Sequence, residues 1–181
     1  MNEFEVSCRG IVTALFEKCQ DRAIRSHLRQ LLQDNPDFQM GAMRYLRDLP
    51  KRSKVNQELL HLISGLIAEY PCDISDEPFT LGASLAKLSR HPDTNSSGVE
   101  RRFELLLQLE RSSLAQQLHG LVIQAENTQR TNNPVRIDFA KLLYDLHSWD
   151  RPEKWVQLSW SRDFWYAKPD EEETGSNDIP D

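Results

Sequence analysis

The sequence predicts an all-α fold of two small helical bundles joined by a polar linker and followed by an acidic tail. Apolar residues recur at helical spacing along most of the chain, and no segment shows the alternation of a β-strand. A chain of 181 residues with 39% hydrophobic residues can bury a core as one domain or as two small ones. We therefore expect bundles at residues 1–92 and 99–167 and a disordered tail at 168–181.

Helices are expected along the whole region before the polar linker. The segment Asp34-Asn-Pro36 ends the first of them, because proline interrupts the helical hydrogen bonds. The third carries leucine and isoleucine on most of its surface, which is typical of a buried helix. Thr80 can cap the fourth with its side-chain oxygen. The predicted helical segments are 11–33, 38–48, 56–69 and the stretch from Leu81 through Leu88.

The segment 91–98, His-Pro-Asp-Thr-Asn-Ser-Ser-Gly, is the candidate linker because it is polar and rich in turn-forming residues. Serines at 112 and 113 separate the next two helices, and a serine can cap the second. Asp150 and Glu153 have the spacing of a capping box ahead of the last helix. The helices expected after the linker are 99–110, 113–126, 136–149 and a final helix that carries Trp155, Trp160 and Trp165.

The acidic tail accounts for most of the net negative charge, and the rest of the chain is close to neutral. The formal net charge of the chain is −6, and residues 168–181 contain six acidic residues and a single lysine. Without the tail, 21 basic and 22 acidic residues remain, so a local basic patch is compatible with an acidic protein. Because the tail is poor in apolar residues, we expect it to be disordered.

No motif for catalysis, metal binding or membrane insertion is present in the sequence. The cysteines form no CxxC pair, the five histidines have no HExxH spacing, and neither GxSxG nor GxxxxGK[ST] occurs. No stretch approaches the roughly 20 apolar residues of a membrane span, and the first residues do not resemble a signal peptide. We therefore expect a cytoplasmic protein that is not an enzyme and has no cofactor.

Basic residues form three groups along the sequence. Those at 18, 22, 25 and 29 share one side of a helix, and others cluster at 44–54 and on both sides of the linker. Two interpretations stay open: a solvated face paired with neighbouring acids, or sequence-independent contacts to phosphates. The tryptophans at 149, 155, 160 and 165 are interpreted as bundle core rather than as platforms for stacking bases.

Four segments of the chain resemble a known protein family. Their order and spacing are similar to those of the CasB family, the small subunit of the type I-E CRISPR surveillance complex, Cascade. The resemblance covers residues 80–166 and extends more loosely to 21–29 and 59–70. The segments are Leu81–Ala86, 99–107, 134–149 and Trp160–Trp165.

The resemblance implies an all-helical, non-catalytic subunit. In the family, two copies line the inner side of the crRNA-bearing backbone, contact the large subunit and hold the displaced DNA strand on a basic track. The implied partners are therefore the backbone and large subunits, a second copy of the chain, the crRNA-containing assembly and displaced single-stranded DNA. Positions that match basic residues of the family are Arg25, Arg29, Arg101 and Arg102, and charge clustering adds Lys51, Arg52, Lys54, Lys87 and Arg90.

Two features depart from the family pattern. The helix at 113–126 has His119-Gly120 where relatives often carry paired arginines, and the acidic tail is not a feature expected of the family. We therefore expect a supporting grip on DNA rather than strong binding by the isolated chain. The alternative function is an α-helical scaffold or adaptor that binds only protein.

Overall fold

The computed structural model describes residues 3–33, 35–50, 55–72 and 77–167. Within these residues the structure is helical and contains no strand, which confirms the predicted all-α class. The predicted contacts Lys51, Arg52 and Lys54, the stop at Asp34 and the acidic tail lie outside the described residues. The helices are α1 (Glu3–Lys18), α2 (Arg22–Arg29), α3 (Pro36–Leu46), α4 (Gln57–Glu69), α5 (Leu81–Arg90), α6 (Ser96–Gln108), α7 (Leu114–Asn127), α8 (Phe139–His147) and α9 (Trp155–Trp165).

The prediction of one continuous helix over 11–33 is wrong. The helix is interrupted between α1 and α2. There the side chain of Asp21 accepts hydrogen bonds from the backbone N–H groups of Ala23, at 2.7 Å, and Ile24, at 3.1 Å. This cap starts a new helix, which continues into a 3-10 turn at Gln30–Leu32. The break explains why the apolar face of the sequence drifts along this segment.

Two of the predicted caps after the linker are also wrong. Ser113 makes no capping hydrogen bond with its side chain at the start of α7. Asp150 does not cap α9, because its carboxylate instead accepts a hydrogen bond from the backbone N–H of Arg111 and pairs with the Arg111 guanidinium at 3.1 Å. By contrast, Thr80 caps α5 as predicted, by accepting from the backbone N–H of Ala83.

Helices from both sides of the polar segment pack together. Helix α5 packs against α9, α6 and α7, whereas α1 packs against α8 and α4. Helix α4 also contacts α2, α7 and α8, and nearly all of its residues are buried. The division into bundles at 1–92 and 99–167 stays a prediction. Within the described residues, the apolar side chains of these helices form one continuous buried cluster.

Helices α5 and α9 meet at a glycine. A Cβ on Gly82 would overlap the carbonyl oxygen of Trp160 and would lie 2.8 Å from the Cα and carbonyl carbon of that residue. The Trp160 side chain is fully buried, and its ring centroid lies 4.9 Å from that of Trp149. Its Nε1–H donates a hydrogen bond of 2.8 Å to the carboxylate of Asp145 on α8. Trp160 thus connects α5, α8 and α9.

The buried Asp145 and Trp149 side chains beside Trp160 both have hydrogen-bond partners. Asp145 accepts from Trp160 on one oxygen and from the ammonium of Lys141 on the other. Burial raises the pKa of Asp145, and the contacts with Lys141 and Trp160 oppose that rise. Trp149 donates its Nε1–H to the carbonyl oxygen of Leu109, just after α6, at 2.9 Å. These bonds fix α6, α8 and α9 relative to one another.

The interpretation of the tryptophans as bundle core holds for only part of the set. Trp149 and Trp160 are buried, and Trp155 packs partly buried against the core. Trp165 is 50% exposed and the neighbouring Leu158 is 66% exposed, so this side of α9 faces solvent. The core interpretation is therefore wrong for Trp165.

Gly82→Ala is expected to lower the free energy of unfolding by about 3 kcal/mol, because the added methyl group forces α5 and α9 apart. Gly41→Ala in α3 is the matched control, since a Cβ there meets nothing within 4 Å. The control is expected to raise stability by up to about 1 kcal/mol through helix propensity. Urea unfolding followed by circular dichroism measures both. Equal effects of the two substitutions would contradict the close packing at Gly82.

Candidate nucleic-acid interface

Two of the predicted contact residues lie where α2 packs against the end of α4. The Nε–H of Arg25 donates to the carbonyl oxygen of Ala68 at 2.8 Å, and a second donor reaches the carbonyl oxygen of Glu69 at 3.4 Å. Arg29 also donates to Ala68, at 3.3 Å, and pairs with the Glu69 carboxylate at 3.1 Å. Carbonyls in the last turn of a helix lack partners within it and carry partial negative charge. Both arginines therefore stabilise the C-terminus of α4.

Glu69 also faces α7. Its carboxylate lies 3.7 Å from Nε2 of His119, a distance that is too long for a hydrogen bond. That ring nitrogen is shielded from solvent and has no hydrogen-bond partner within the described residues. Glu69 thus lies between Arg29 on α2 and His119 on α7. It neutralises part of the positive charge that the two arginines bring to this junction.

The contacts continue from α7 to α6 at Gly120. A terminal nitrogen of the Arg102 guanidinium lies 3.5 Å from the position that a Cβ on Gly120 would occupy. Arg102 thus lies against α7, at a distance that would place a Cβ on Gly120 in ordinary van der Waals contact with it. Val99, Phe103 and Leu106 are the buried residues of α6, and both Arg101 and Arg102 are exposed.

A chain of neighbouring groups therefore crosses four helices. We call it the arginine surface, defined by Arg25, Arg29, Glu69, His119, Gly120, Arg101 and Arg102. The arginines of this surface were predicted from the sequence. His119-Gly120 was interpreted there only as a loss of basic residues. The structure shows that Arg102 lies beside this glycine. The local sequence pattern did not indicate this contact, because it joins residues on two different helices.

The other described candidates lie on α5. Lys87 and Arg90 are exposed and line a cavity together with Arg136, from the segment before α8. Arg90 also donates a hydrogen bond of 2.6 Å to the carbonyl oxygen of Ala167. Arg136 was not among the predicted contacts, because only the tertiary fold brings it to α5. The cavity shares no lining residue with the arginine surface.

Other reactive side chains are used in packing. Burial raises the pKa of the Cys8 thiol to about 12 and that of Cys19 to about 11, so both stay protonated at neutral pH. His147 ends α8 with its ring centroid 4.3 Å from that of Phe4. Burial, with Arg111 and Arg151 nearby, lowers its pKa. Within the ranges that the structure describes, no three His, Cys, Asp or Glu side chains are grouped to hold a metal.

None of the described helices combines the length and the apolar character needed to cross a membrane. Fold and surface together define an all-helical protein with arginines displayed across several packed helices. The family model for the CRISPR-associated protein Cse2 matches residues 24–165. The chain therefore belongs to the Cse2 family.

Known relatives agree with this assignment. The CRISPR-associated protein Cse2 of Thermus thermophilus is 31% identical over 154 residues, which cover 83% of each chain. The crystal structure of a Cse2-family protein from the same organism superposes with a TM-score of 0.69 at 27% identity, covering 92% of this chain and all of the other. The crystal structure of CasB from M. ruber gives a TM-score of 0.57 at 26% identity, over 81% and 85% of the two chains. The expected CasB resemblance is confirmed.

Arg25→Ala is expected to lower the free energy of unfolding by about 1.5 kcal/mol, because the buried carbonyl of Ala68 loses its shorter charged hydrogen bond and keeps only the 3.3 Å bond from Arg29. Arg101→Ala removes the same charge from an exposed position and is expected to change stability by less than about 0.5 kcal/mol. Urea unfolding of both variants measures the difference. If Arg25→Ala proves as mild as Arg101→Ala, Arg25 does not stabilise the end of α4.

Proposed function

We propose that the protein is a non-catalytic small subunit of a type I-E CRISPR surveillance complex, Cascade. Membership of the Cse2 family supports this proposal. A chain of a CRISPR RNA-guided surveillance complex shares the fold, with a TM-score of 0.72 at 22% identity and coverage of 89% and 92% of the two chains. In this proposal the protein packs along the crRNA-bearing backbone, contacts the large subunit and works beside a second copy of itself.

Within the complex, the proposed task is to hold the DNA strand that the guide RNA displaces. The arginine surface supports this part of the proposal. In it Arg29 pairs with Glu69, and Glu69 lies 3.7 Å from His119. The next residue of α7, Gly120, neighbours Arg102 on α6. Exchange of a DNA duplex for an RNA–DNA heteroduplex is nearly balanced in free energy. Modest contacts to the phosphates of the displaced strand are therefore enough to favour the open state.

The same geometry favours weak binding of DNA that supports the other contacts in the complex. Arg25 and Arg29 already donate to the end of α4, and Glu69 offsets part of their charge. Arg101 and Arg102 are exposed and are the main contacts in this proposal. Affinity of the isolated chain for single-stranded DNA is accordingly expected to be low, and the assembled complex is the relevant sample.

The alternative is an adaptor that binds only protein. Exposed apolar side chains at the end of α9 favour a protein contact there: Trp165 is 50% exposed and Tyr166 is 81% exposed. Such a contact is also expected of a Cascade subunit, so this surface does not separate the two functions. The two functions differ in whether binding of the displaced strand requires Arg101 and Arg102.

The double variant Arg101→Ala/Arg102→Ala is expected to shorten the lifetime of the R-loop in the assembled complex several-fold. Loss of two phosphate contacts on a single strand should also reduce the slope of log affinity against log salt by about 1.4. The lifetime is measured by challenge with competitor DNA, and the affinity by titration with target DNA over a salt series.

Arg151→Ala/Arg162→Ala is the matched control, since it removes two exposed arginines outside the arginine surface. Native mass spectrometry verifies that both variants still assemble. An R-loop lifetime and salt slope that equal those of the control variant, in a fully assembled complex, would reject the DNA contact and favour the adaptor.

A further inference from the structure

A cavity of about 650 Å³ lies between α5 and the segment 133–136 that precedes α8. Cations and apolar rings both contribute to its walls. Among the described residues that line it, none is a carboxylate. The lining side chains that matter here are Lys87, Arg90, Arg136, Phe79, Pro92 and Pro134.

One wall of the cavity is fixed by hydrogen bonds across the fold. The buried hydroxyl of Tyr70 donates to the carbonyl oxygen of Val135 at 2.7 Å, and the backbone N–H of Val135 donates to Thr128 Oγ1 at 2.8 Å. Nε2 of His91, at the end of α5, lies 3.1 Å from Thr131 Oγ1. These bonds fix the segment that carries Val135 in place, which reduces the entropy cost of ordering this wall when a ligand binds.

The lining suits a ligand that joins a negative charge to a flat apolar group. Lys87 and Arg136 provide charge for a phosphate, and Phe79 and Pro134 provide surfaces against which a ring can lie. The volume is within the usual range of about 300–1,000 Å³ for small-ligand sites. An acidic peptide would form ion pairs with the cations, but its carboxylates would not pack against the aromatic and proline rings.

We propose that this cavity binds one unstacked nucleotide of single-stranded DNA, with its phosphate at Lys87 and Arg136 and its base against Phe79. This inference rests on the proposed function, because it supplies a second point of attachment for the same displaced strand. Stacking of a base on an aromatic side chain is tolerant of sequence. A site of this kind therefore adds affinity without selecting a target.

The test compares two probes on the full-length protein in its assembled complex: fluorescent oligothymidylate and an abasic strand of the same length. Phe79→Leu keeps an apolar side chain but removes the ring. It is expected to weaken binding of oligothymidylate about tenfold, since a stacked base contributes about 1–3 kcal/mol, and to leave the abasic strand unchanged. Phe79→Tyr keeps the ring and should retain wild-type affinity.

Lys87→Ala/Arg136→Ala removes the proposed phosphate contacts and should weaken both probes equally. Equal affinity of the wild type for the two strands, or a Phe79→Leu effect of the same size on both, would overturn the proposal. So would a polyglutamate peptide that binds more tightly than oligothymidylate, since the site would then be one for acidic peptides. Circular dichroism and urea unfolding verify that each variant is folded.

The outcomes also separate this inference from the proposed function. If only Arg101→Ala/Arg102→Ala weakens binding, while the Phe79 and Lys87/Arg136 variants bind normally, the cavity is rejected and the arginine surface is retained. If the wild-type complex binds neither strand at low salt, the proposed DNA contact itself fails.

Discussion

The backbone contact between Gly82 and Trp160 is the constraint on which the packing of the second half of the chain depends. Because Gly82 has no Cβ, α9 can lie directly against α5, and the Trp160 side chain can enter the core. There it binds Asp145 of α8 and packs on Trp149, whose indole N–H in turn holds the end of α6 at Leu109. The position of α6 determines where Arg101 and Arg102 lie.

The fold was largely predictable because helices are repeating local structures. Apolar spacing predicted a helix at 56–69, and α4 is Gln57–Glu69. Two of the failures share one cause, which is competition from hydrogen bonds that periodicity does not reveal. Asp21 caps a new helix within the predicted 11–33 segment, and Asp150 is drawn away from α9 by Arg111, 39 positions earlier in the chain.

The candidate site was less predictable because it is assembled from separate helices. Spacing indicated that Arg25 and Arg29 share a side of one helix, but it could not show that this side packs on the carbonyls that end α4. The doubled arginine at 101–102 was evident in the sequence. Its neighbour across the helix pair, Gly120, gained meaning only from the fold. Charge clustering likewise joined Lys87 to Arg90 but could not include Arg136.

In the proposed function, the arginine surface contacts the displaced strand in the assembled complex. Photo-cross-linking can detect this contact: a complex bound to target DNA is irradiated, with photoreactive thymidines placed along the displaced strand, and cross-linked peptides are identified by mass spectrometry. We expect cross-links to peptides that contain Arg29 or Arg101 and Arg102, and their loss at high salt. Cross-links confined to other subunits, with none on this chain, would contradict the claim.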